Sequence, residues 1–189
     1  MSSLRGVHAA LLVANLQAHL RSLSGLTCGA TGLMTPLELV QTLQQVNRIV
    51  WKSTAEQHYA TLFFGLYDDS TRRLTYVNCG HNPPMLLRAD GRVERLEPTA
   101  MVIGLFEEWE CVASEIQMAP GDLLAIFSDG VTEAMLGEEE FGESRFLDQL
   151  RETRRLPLEQ VVTTVFTAVQ HFSAGDQSDD LTLVVARGK

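Results

Sequence analysis

A run of five apolar residues, Leu123–Phe127, constrains the fold more than any other feature of this sequence. A continuous apolar run of this length is typical of a central strand that is buried on both faces. Pro120-Gly121 predicts a turn before the run, and Ser128-Asp129-Gly130 follows it directly. A second run of the same kind, Leu181–Ala186, lies near the C-terminus. We therefore expect sheets that are covered by helices.

The patterns around these two runs predict the order of the other elements. Helical spacing of apolar residues predicts amphipathic helices over 7–23 and, after a capping box at Thr35-Pro36-Leu37-Glu38, through Leu39, Leu43, Val46 and Val50. Two hairpins are predicted, from 59–67 with 73–79 and from 85–88 with 93–97. An alternating strand over 111–118 and helices around 131–136, 144–153 and 157–172 complete the pattern. This order predicts an α+β fold of layered sheets and helices.

Length and composition limit the classes of protein to consider. The 189 residues suit one domain, and 45% hydrophobic residues can form a sizeable core. The net charge of −9 argues against nucleic acid or an anionic membrane as the main partner. Cys28, Cys79 and Cys111 form no CxxC pair, which indicates reduced thiols. Apolar runs such as Ala9–Ala14 are too short to span a bilayer, so we expect a cytoplasmic protein.

The first sequence that suggests chemistry is Ser128-Asp129-Gly130-Val131-Thr132-Glu133-Ala134. A strand that ends in Asp-Gly and turns into a helix can present one carboxylate at the edge of a sheet, and glycine lets the backbone turn sharply. In a simpler interpretation, Ser128 or Asp129 only caps the following helix. The motif alone does not separate these alternatives.

The second such sequence is Gln177-Ser178-Asp179-Asp180, which precedes the last apolar run. Taken alone, this sequence favours a solvated acidic turn. However, both motifs place an aspartate at the end of an apolar strand, so neighbouring strands could bring Asp129 and Asp179 together. Carboxylates near a core need hydrogen bonds, a counter-charge or a cation. Oxygen ligands of this kind suit Mg²⁺ or Mn²⁺ rather than zinc.

Four motifs in the same order along the chain resemble the SpoIIE/RsbU group of PPM-type protein-serine phosphatases. They are the Ser128 motif, Phe141-Gly142-Glu143, the terminal Asp179-Asp180-Leu181-Thr182-Leu183-Val184-Val185, and Cys79-Gly80-His81-Asn82-Pro83-Pro84 with cysteine in an alanine place. The resemblance implies an αββα sandwich of two mainly antiparallel sheets with a two-metal site of Mg²⁺ or Mn²⁺ at one edge. It assigns Asp129 and Asp179 as metal ligands.

The other residues of these motifs are expected to have secondary roles. Gly130 and Asp180 would support the metal ligands. His81 could protonate a leaving oxygen, since histidine is the side-chain type suited to general acid catalysis. Its place in a Gly/Pro-rich turn, however, favours a structural role. Glu133 and Glu143 are expected to be helix-capping or solvated carboxylates.

The N-terminus departs from the group's pattern. Gly6–Leu11 matches the start of a helix of the group, but Met1 falls where a metal-binding aspartate is expected and Leu4 where a turn glycine is expected. The upstream Gly-Asp-x-x-Asp and the first strands of the sandwich are absent from residues 1–189. The chain could be a fragment, a degenerate domain, or one completed by another chain. We expect an open sheet edge, possible homodimers, and weak or no activity of the isolated chain.

Two hypotheses of function follow from the resemblance. The first is a Mg²⁺/Mn²⁺-dependent phosphatase that acts on a phosphorylated anti-anti-sigma protein of the STAS type in a bacterial signalling switch. The second is a non-catalytic regulatory module that binds such a partner without hydrolysis. A small-molecule sensor domain would explain the mixture of sheets and helices but not the paired aspartates.

Overall fold

The computed structural model describes residues 34–53, 59–174 and 180–189 of the chain. The predicted helix over 7–23 lies outside these residues. The chain divides into two compact units, and each has its own apolar core. The first unit comprises Met1–His81 and Pro98–Gln117, and the second comprises Asn82–Glu97 and Met118–Lys189. Within the described residues, no helix is long and apolar enough to cross a membrane.

The first unit pairs one helix with a three-stranded antiparallel sheet. Its elements are α1 (Pro36–Ser53), β1 (Leu62–Asp68), β2 (Arg73–Cys79) and β5 (Ser114–Gln117), and the strand order is β1-β2-β5. The hairpin predicted from 59–67 and 73–79 is confirmed, with Leu62 opposite Cys79 and Asp68 opposite Arg73. β1 and β5 are the outer strands of this sheet as described. Whether the chain associates with itself through such an edge stays a prediction.

Helix α1 forms for the reasons that its sequence indicates. The N–H of Thr35 donates to Oε2 of Glu38 at 2.7 Å, and the N–H of Glu38 donates to Oγ1 of Thr35 at 3.2 Å. This reciprocal pair is the predicted capping box, and its hydrogen bonds lower the pKa of Glu38. The predicted apolar face is also confirmed, since four residues at helical spacing are at most 2% exposed: Leu39, Leu43, Val46 and Val50.

The second unit contains a four-stranded antiparallel sheet of order β4-β3-β6-β9. Its strands are β3 (Met85–Leu87), β4 (Val93–Arg95), β6 (Leu123–Phe127) and β9 (Leu183–Arg187). The predicted second hairpin is therefore confirmed as β3 with β4. β6 lies between β3 and β9 and is almost wholly buried, as its apolar sequence predicts. β9 begins at Leu183, two residues later than predicted. The expectation that it is buried on both faces is wrong, because β9 is an outer strand of this sheet as described and Val184 and Ala186 are exposed.

The helices of the second unit pack on this sheet through one apolar core. They are α2 (Asp129–Thr132), α3 (Gly142–Thr153) and α4 (Leu158–Phe172). Phe127 of β6 contacts Phe146 of α3, with ring centroids 4.6 Å apart. The expected helices over 144–153 and 157–172 are confirmed within about two residues.

The helix predicted over 131–136 is wrong beyond Thr132. There, Met135–Leu136 (β7) pairs antiparallel with Glu139–Glu140 (β8). Gly137 between them has a φ of +64°, a conformation that helices exclude and that glycine adopts readily. Gly137 therefore suits the turn of this hairpin, which takes the place of a continued helix although the apolar spacing continues.

Candidate functional site

Asp129 lies immediately beyond the buried end of β6. The chain leaves the strand through Ser128 and enters the four-residue helix α2 at Asp129. The side chain of Asp129 is exposed, and its Oδ1 accepts the N–H of Gly130 at 3.0 Å. One backbone donor does not saturate a carboxylate, which can accept about four hydrogen bonds or ligand contacts. Asp129 thus stands at a sheet end with oxygen atoms available to solvent, as the sequence predicts.

Ser128 joins this end of β6 to the segment before β9. Its Oγ donates to the carbonyl oxygen of Asp180 at 3.0 Å and accepts the N–H of Thr182 at 3.0 Å. Its own N–H donates to the carbonyl oxygen of Thr182, also at 3.0 Å. These three hydrogen bonds continue the β6–β9 pairing beyond Phe127 and Leu183. They bring the chain at Asp180 next to the chain at Asp129.

The simpler interpretation of Ser128 as a helix cap is wrong. Ser128 occupies the N-cap position of α2, but its side chain makes no cap hydrogen bond. The hydroxyl instead holds Asp180 and Thr182, 52 and 54 residues along the chain. Sequence reasoning missed this role because the partners of the hydroxyl are backbone groups of a distant segment. We call Ser128 with its three hydrogen bonds the Ser128 bridge.

The second predicted metal ligand, Asp179, lies outside the described residues. Its close approach to Asp129 therefore stays a prediction. Asp180, which the sequence places in a supporting position, is described and is exposed. The structure uses the backbone carbonyl of Asp180 in the Ser128 bridge.

Gly130 acts differently from the expectation. It is buried within α2, and it is not one of the glycines with positive φ. The backbone therefore does not use glycine's conformational freedom at this turn. Instead, its N–H holds the carboxylate of Asp129, and its missing side chain suits a buried position.

His81 belongs to the first unit, in the turn that follows β2. Its N–H donates to Oδ1 of Asn78 at 2.9 Å, and Asn78 is fully buried. The preceding Gly80 has a φ of +71°, and a Cβ there would lie 2.7 Å from Cγ1 of Val102. The hydrogen bond from His81 and the close approach of Val102 to Gly80 both restrict the path of this turn. This agrees with a structural role for the segment. A catalytic role for His81 remains untested.

The two expected helix-terminal glutamates are placed as follows. Glu133 is exposed and ends α2, where its N–H donates to the carbonyl oxygen of Asp129 at 2.8 Å. Glu143 lies in the first turn of α3 and forms an ion pair with Arg95 of β4. Within 34–53, 59–174 and 180–189, neither belongs to a group of residues that could hold a metal ion.

The donor set at Asp129 fits a hard cation in its chemistry. Carboxylate oxygens are the side-chain ligands that Mg²⁺ and Mn²⁺ prefer. In the described part of the chain, however, no three His, Cys, Asp or Glu residues form a group that could hold a metal ion. A complete site would need ligands from outside the described residues, and Asp179 is the candidate that the sequence analysis assigns.

A comparison with protein families identifies the chain. The model of the family "Stage II sporulation protein E (SpoIIE)" matches residues 5–189. Protein IcfG of Synechocystis sp. is 29% identical over 200 residues, which cover 95% of this chain and 31% of IcfG. Phosphoserine phosphatase RsbU of Bacillus subtilis is 27% identical over 151 residues, which cover 79% of this chain and 45% of RsbU. The chain thus spans less than half the length of these two relatives.

Solved structures show the same fold. The SiaA-PP2C domain of Pseudomonas aeruginosa has a TM-score of 0.74 at 22% identity, over 96% of this chain and 71% of that one. The catalytic domain of the serine/threonine phosphatase PstP, solved with two manganese ions, has a TM-score of 0.69 at 20% identity, over 97% and 84%. The expected α+β fold of PPM phosphatases is therefore confirmed. The chain belongs to the SpoIIE family, within the SpoIIE/RsbU group of PPM-type phosphatases.

Proposed function

We propose that this chain is the phosphatase domain of a Mg²⁺- or Mn²⁺-dependent enzyme that hydrolyses phosphoserine or phosphothreonine. The proposed substrate is a phosphorylated anti-anti-sigma protein of the STAS type in a bacterial signalling switch. Family membership supports the reaction class, since the relative RsbU is named a phosphoserine phosphatase. The name of another similar structure, the RsbU and RsbW domains of Rv1364c, fits a regulatory setting with partner proteins. A cytoplasmic location belongs to the same proposal.

The observation that carries the proposal is the Ser128 bridge. It holds the segment that begins at Asp180 against Ser128, the residue directly before Asp129. Asp179 is the residue before that segment, so the bridge supports its assignment with Asp129 as a ligand pair. Adjacent antiparallel strands are a stiff support, which is what precise placement of a ligand requires.

The residues of the chain would hold the cation and orient its ligands. The carboxylates of Asp129 and Asp179 would hold the cation, and the N–H of Gly130 would keep the Asp129 carboxylate from rotating. Bound Mg²⁺ or Mn²⁺ would supply a water of lowered pKa and neutralise charge that develops on the phosphoryl group. The hydroxyl of Ser128 is committed to backbone partners, so it is not a candidate nucleophile.

The test is Mn²⁺-dependent hydrolysis of p-nitrophenyl phosphate and of a serine-phosphorylated STAS-domain protein. It should be run on the 189-residue chain and on the protein expressed from the intact gene. We expect Asp129→Asn and Asp179→Asn each to lower kcat/KM at least about 100-fold in any form that is active, because each would remove a charged metal ligand. Glu133→Gln is the matched control, an exposed carboxylate close by in sequence, and should retain activity.

The outcomes separate the two hypotheses of function. Full activity of Asp129→Asn would contradict the assignment of the site. If the phosphoprotein binds but neither form of the protein hydrolyses it, the result would favour the non-catalytic regulatory module.

A further inference from the structure

A loop of the first unit, residues 101–109, is held in place at several points of its backbone. Ile103 exchanges two hydrogen bonds of 2.9 Å with Ala60, and its side chain is fully buried. The indole N–H of Trp109 donates to the carbonyl oxygen of Met101 at 2.9 Å, which closes the loop across its base. Trp109 itself is only 7% exposed. We call these residues the 101–109 loop.

Asn47 of α1 fixes the middle of the 101–109 loop. It is 1% exposed and uses both ends of its side-chain amide on the loop backbone. Its Oδ1 accepts the N–H of Gly104 at 2.8 Å, and its Nδ2 donates to the carbonyl oxygen of Phe106 at 2.9 Å. Gly104 has a φ of +87°, which turns the chain between these two contacts. A buried amide satisfied in this way is a strong positional constraint.

The fixed loop nevertheless exposes apolar side chains. Met101 is 57% exposed, Leu105 is 36% exposed and Phe106 is 47% exposed. The adjoining acidic side chains are all exposed: Glu107, Glu108 and Glu110. Ile103 and Trp109 of the same loop are buried. The exposure of Leu105 and Phe106 is therefore not the result of a loop that fails to pack on the first unit. An exposed apolar patch with a charged border is typical of an interaction site.

We infer that the 101–109 loop is a docking surface for the protein substrate, an inference that rests on the proposed function. The surface fits a partner with an apolar recess that accepts Phe106 and Leu105. Charge complementarity requires lysine or arginine around that recess, because the loop carries Glu107 and Glu108 and is followed directly by Glu110. The loop would therefore contribute to the choice of phosphoprotein and would leave hydrolysis of a small phosphate ester unaffected.

Rigidity of the loop supports this inference. A flexible loop would lose conformational freedom on binding, which weakens affinity. Here Asn47, Ile103 and Trp109 have already fixed the backbone, so the side chains are presented at little further entropic cost. Large aromatic side chains in such positions provide most of the binding energy of many interfaces.

The experiment compares binding and catalysis in three variants. Binding of a serine-phosphorylated STAS-domain protein from the same genome is measured by titration calorimetry, and p-nitrophenyl phosphate hydrolysis is measured in parallel. The double variant Leu105→Ser/Phe106→Ser should bind at least about tenfold more weakly, with unchanged hydrolysis of the small ester. The matched control, Leu37→Ser, removes an apolar side chain that is 65% exposed elsewhere in the first unit and should bind like the wild type.

A charge-reversal variant tests the chemistry of the partner. Glu107→Lys/Glu108→Lys should slow association, and the loss should diminish as salt is added. It also serves as the second test of the loop, since two exposed carboxylates can be exchanged without altering the core. Unchanged or faster association would overturn the basic border assigned to the partner.

The remaining outcomes distinguish this inference from the proposed function. Equal affinity of the wild type and the Leu105→Ser/Phe106→Ser variant would overturn the docking surface and leave the proposed function intact. A wild type that neither binds nor hydrolyses phosphorylated STAS-domain proteins would overturn the proposed substrate, and the docking inference with it.

Discussion

Strand β6 has an aspartate next to each of its ends, and the two are in opposite environments. Asp122 precedes the strand and is 1% exposed, whereas Asp129 follows it and is exposed. Both belong to the second unit, and both are one or two residues from the same buried strand. The difference between them therefore lies in the donors that surround each carboxylate.

Asp122 is surrounded by donors. Its Oδ2 accepts from Nη1 of Arg88 at 2.7 Å and from the N–H of Ala119 at 2.9 Å, and its Oδ1 accepts the N–H of Ala89 at 2.9 Å. Glu94 is the second partner of Arg88, at 2.5 Å from Nε. The hydrogen bond from Arg88 holds the pKa of Glu94 below its usual range. The carboxylate of Asp122 thus connects the β3–β4 hairpin to the turn before β6.

Among the described residues, the carboxylate of Asp129 receives one hydrogen bond, from the backbone of its immediate neighbour Gly130. An aspartate beside a buried strand can therefore have either of two roles. Where distant donors saturate it, the carboxylate stabilises the fold. Where it is left exposed with few donors, it has oxygen atoms available for a ligand.

The largest expected difference is in stability. Asp122→Ala should lower the free energy of unfolding by about 3–5 kcal/mol, because it leaves Arg88 and two backbone N–H groups without their buried acceptor. Asp129→Ala should change it by no more than about 0.5 kcal/mol, as for most exposed positions. Urea unfolding followed by circular dichroism, without added metal, measures both.

A larger loss of stability in Asp129→Ala than in Asp122→Ala would contradict this explanation. Asp122→Asn is a useful intermediate, because its carbonyl oxygen can still accept hydrogen bonds. It should therefore lose less than Asp122→Ala. An equal loss in both would mean that the negative charge of Asp122, rather than its acceptor capacity, stabilises the turn.

The second prediction concerns Cys79, a buried ionisable group of the first unit that has no charged partner of opposite sign among the causes of its shift. Burial raises its pKa from an ordinary value of 9.0 to about 12, with a smaller contribution from Cys111. In alkaline solution, the unfolded chain then loses this proton before the folded chain does. Stability should fall as pH rises from about 9 toward 12.

Urea unfolding at pH 8 and pH 10.5 measures this effect. Over this interval, the free energy of unfolding of the wild type should fall by on the order of 1–2 kcal/mol more than that of Cys79→Ala. Alanine stands at this place in the family pattern, so the variant should fold. The same fall in both proteins would show that other groups cause the alkaline loss. Burial also raises the pKa of Cys111, to about 11, so Cys111→Ala should likewise lose less stability than the wild type over this interval.

The sequence predicted the elements whose signals are local. The apolar face of α1, its capping box, both hairpins and the buried run of β6 each depend on residues within about twenty positions of one another. The exposed carboxylate of Asp129 was predicted for the same reason, since Ser-Asp-Gly directly follows an apolar strand. The family resemblance then supplied the PPM fold, which periodicity alone did not specify.

The features that the sequence did not reveal depend on distant partners. Asp122 looks like an ordinary turn residue, because its donors Arg88 and Ala89 lie more than thirty residues earlier. The hydroxyl of Ser128 likewise looks like a helix cap until its partners beyond Asp179 are seen. Gly130 was misinterpreted because glycine has two uses, positive φ and small size, and the sequence does not say which one applies.

The smallest expected effect concerns an ion pair that resembles Arg88–Asp122 but is exposed. Arg73 of β2 donates from Nη1 to Oε2 of Glu115 of β5 at 2.9 Å, and the two side chains are 55% and 40% exposed. A double-mutant cycle of Arg73→Ala and Glu115→Ala should give a coupling energy of no more than about 1 kcal/mol, because water screens both charges. Added salt should reduce it further. The bond lengths of the two pairs differ by little, so distance alone would predict similar energies. A coupling energy between Arg73 and Glu115 above about 2 kcal/mol that added salt did not reduce would contradict this explanation. Burial and the number of hydrogen-bond donors would then not distinguish carboxylates that stabilise the fold from carboxylates that can bind a ligand. The assignment of Asp129 would lose its physical basis.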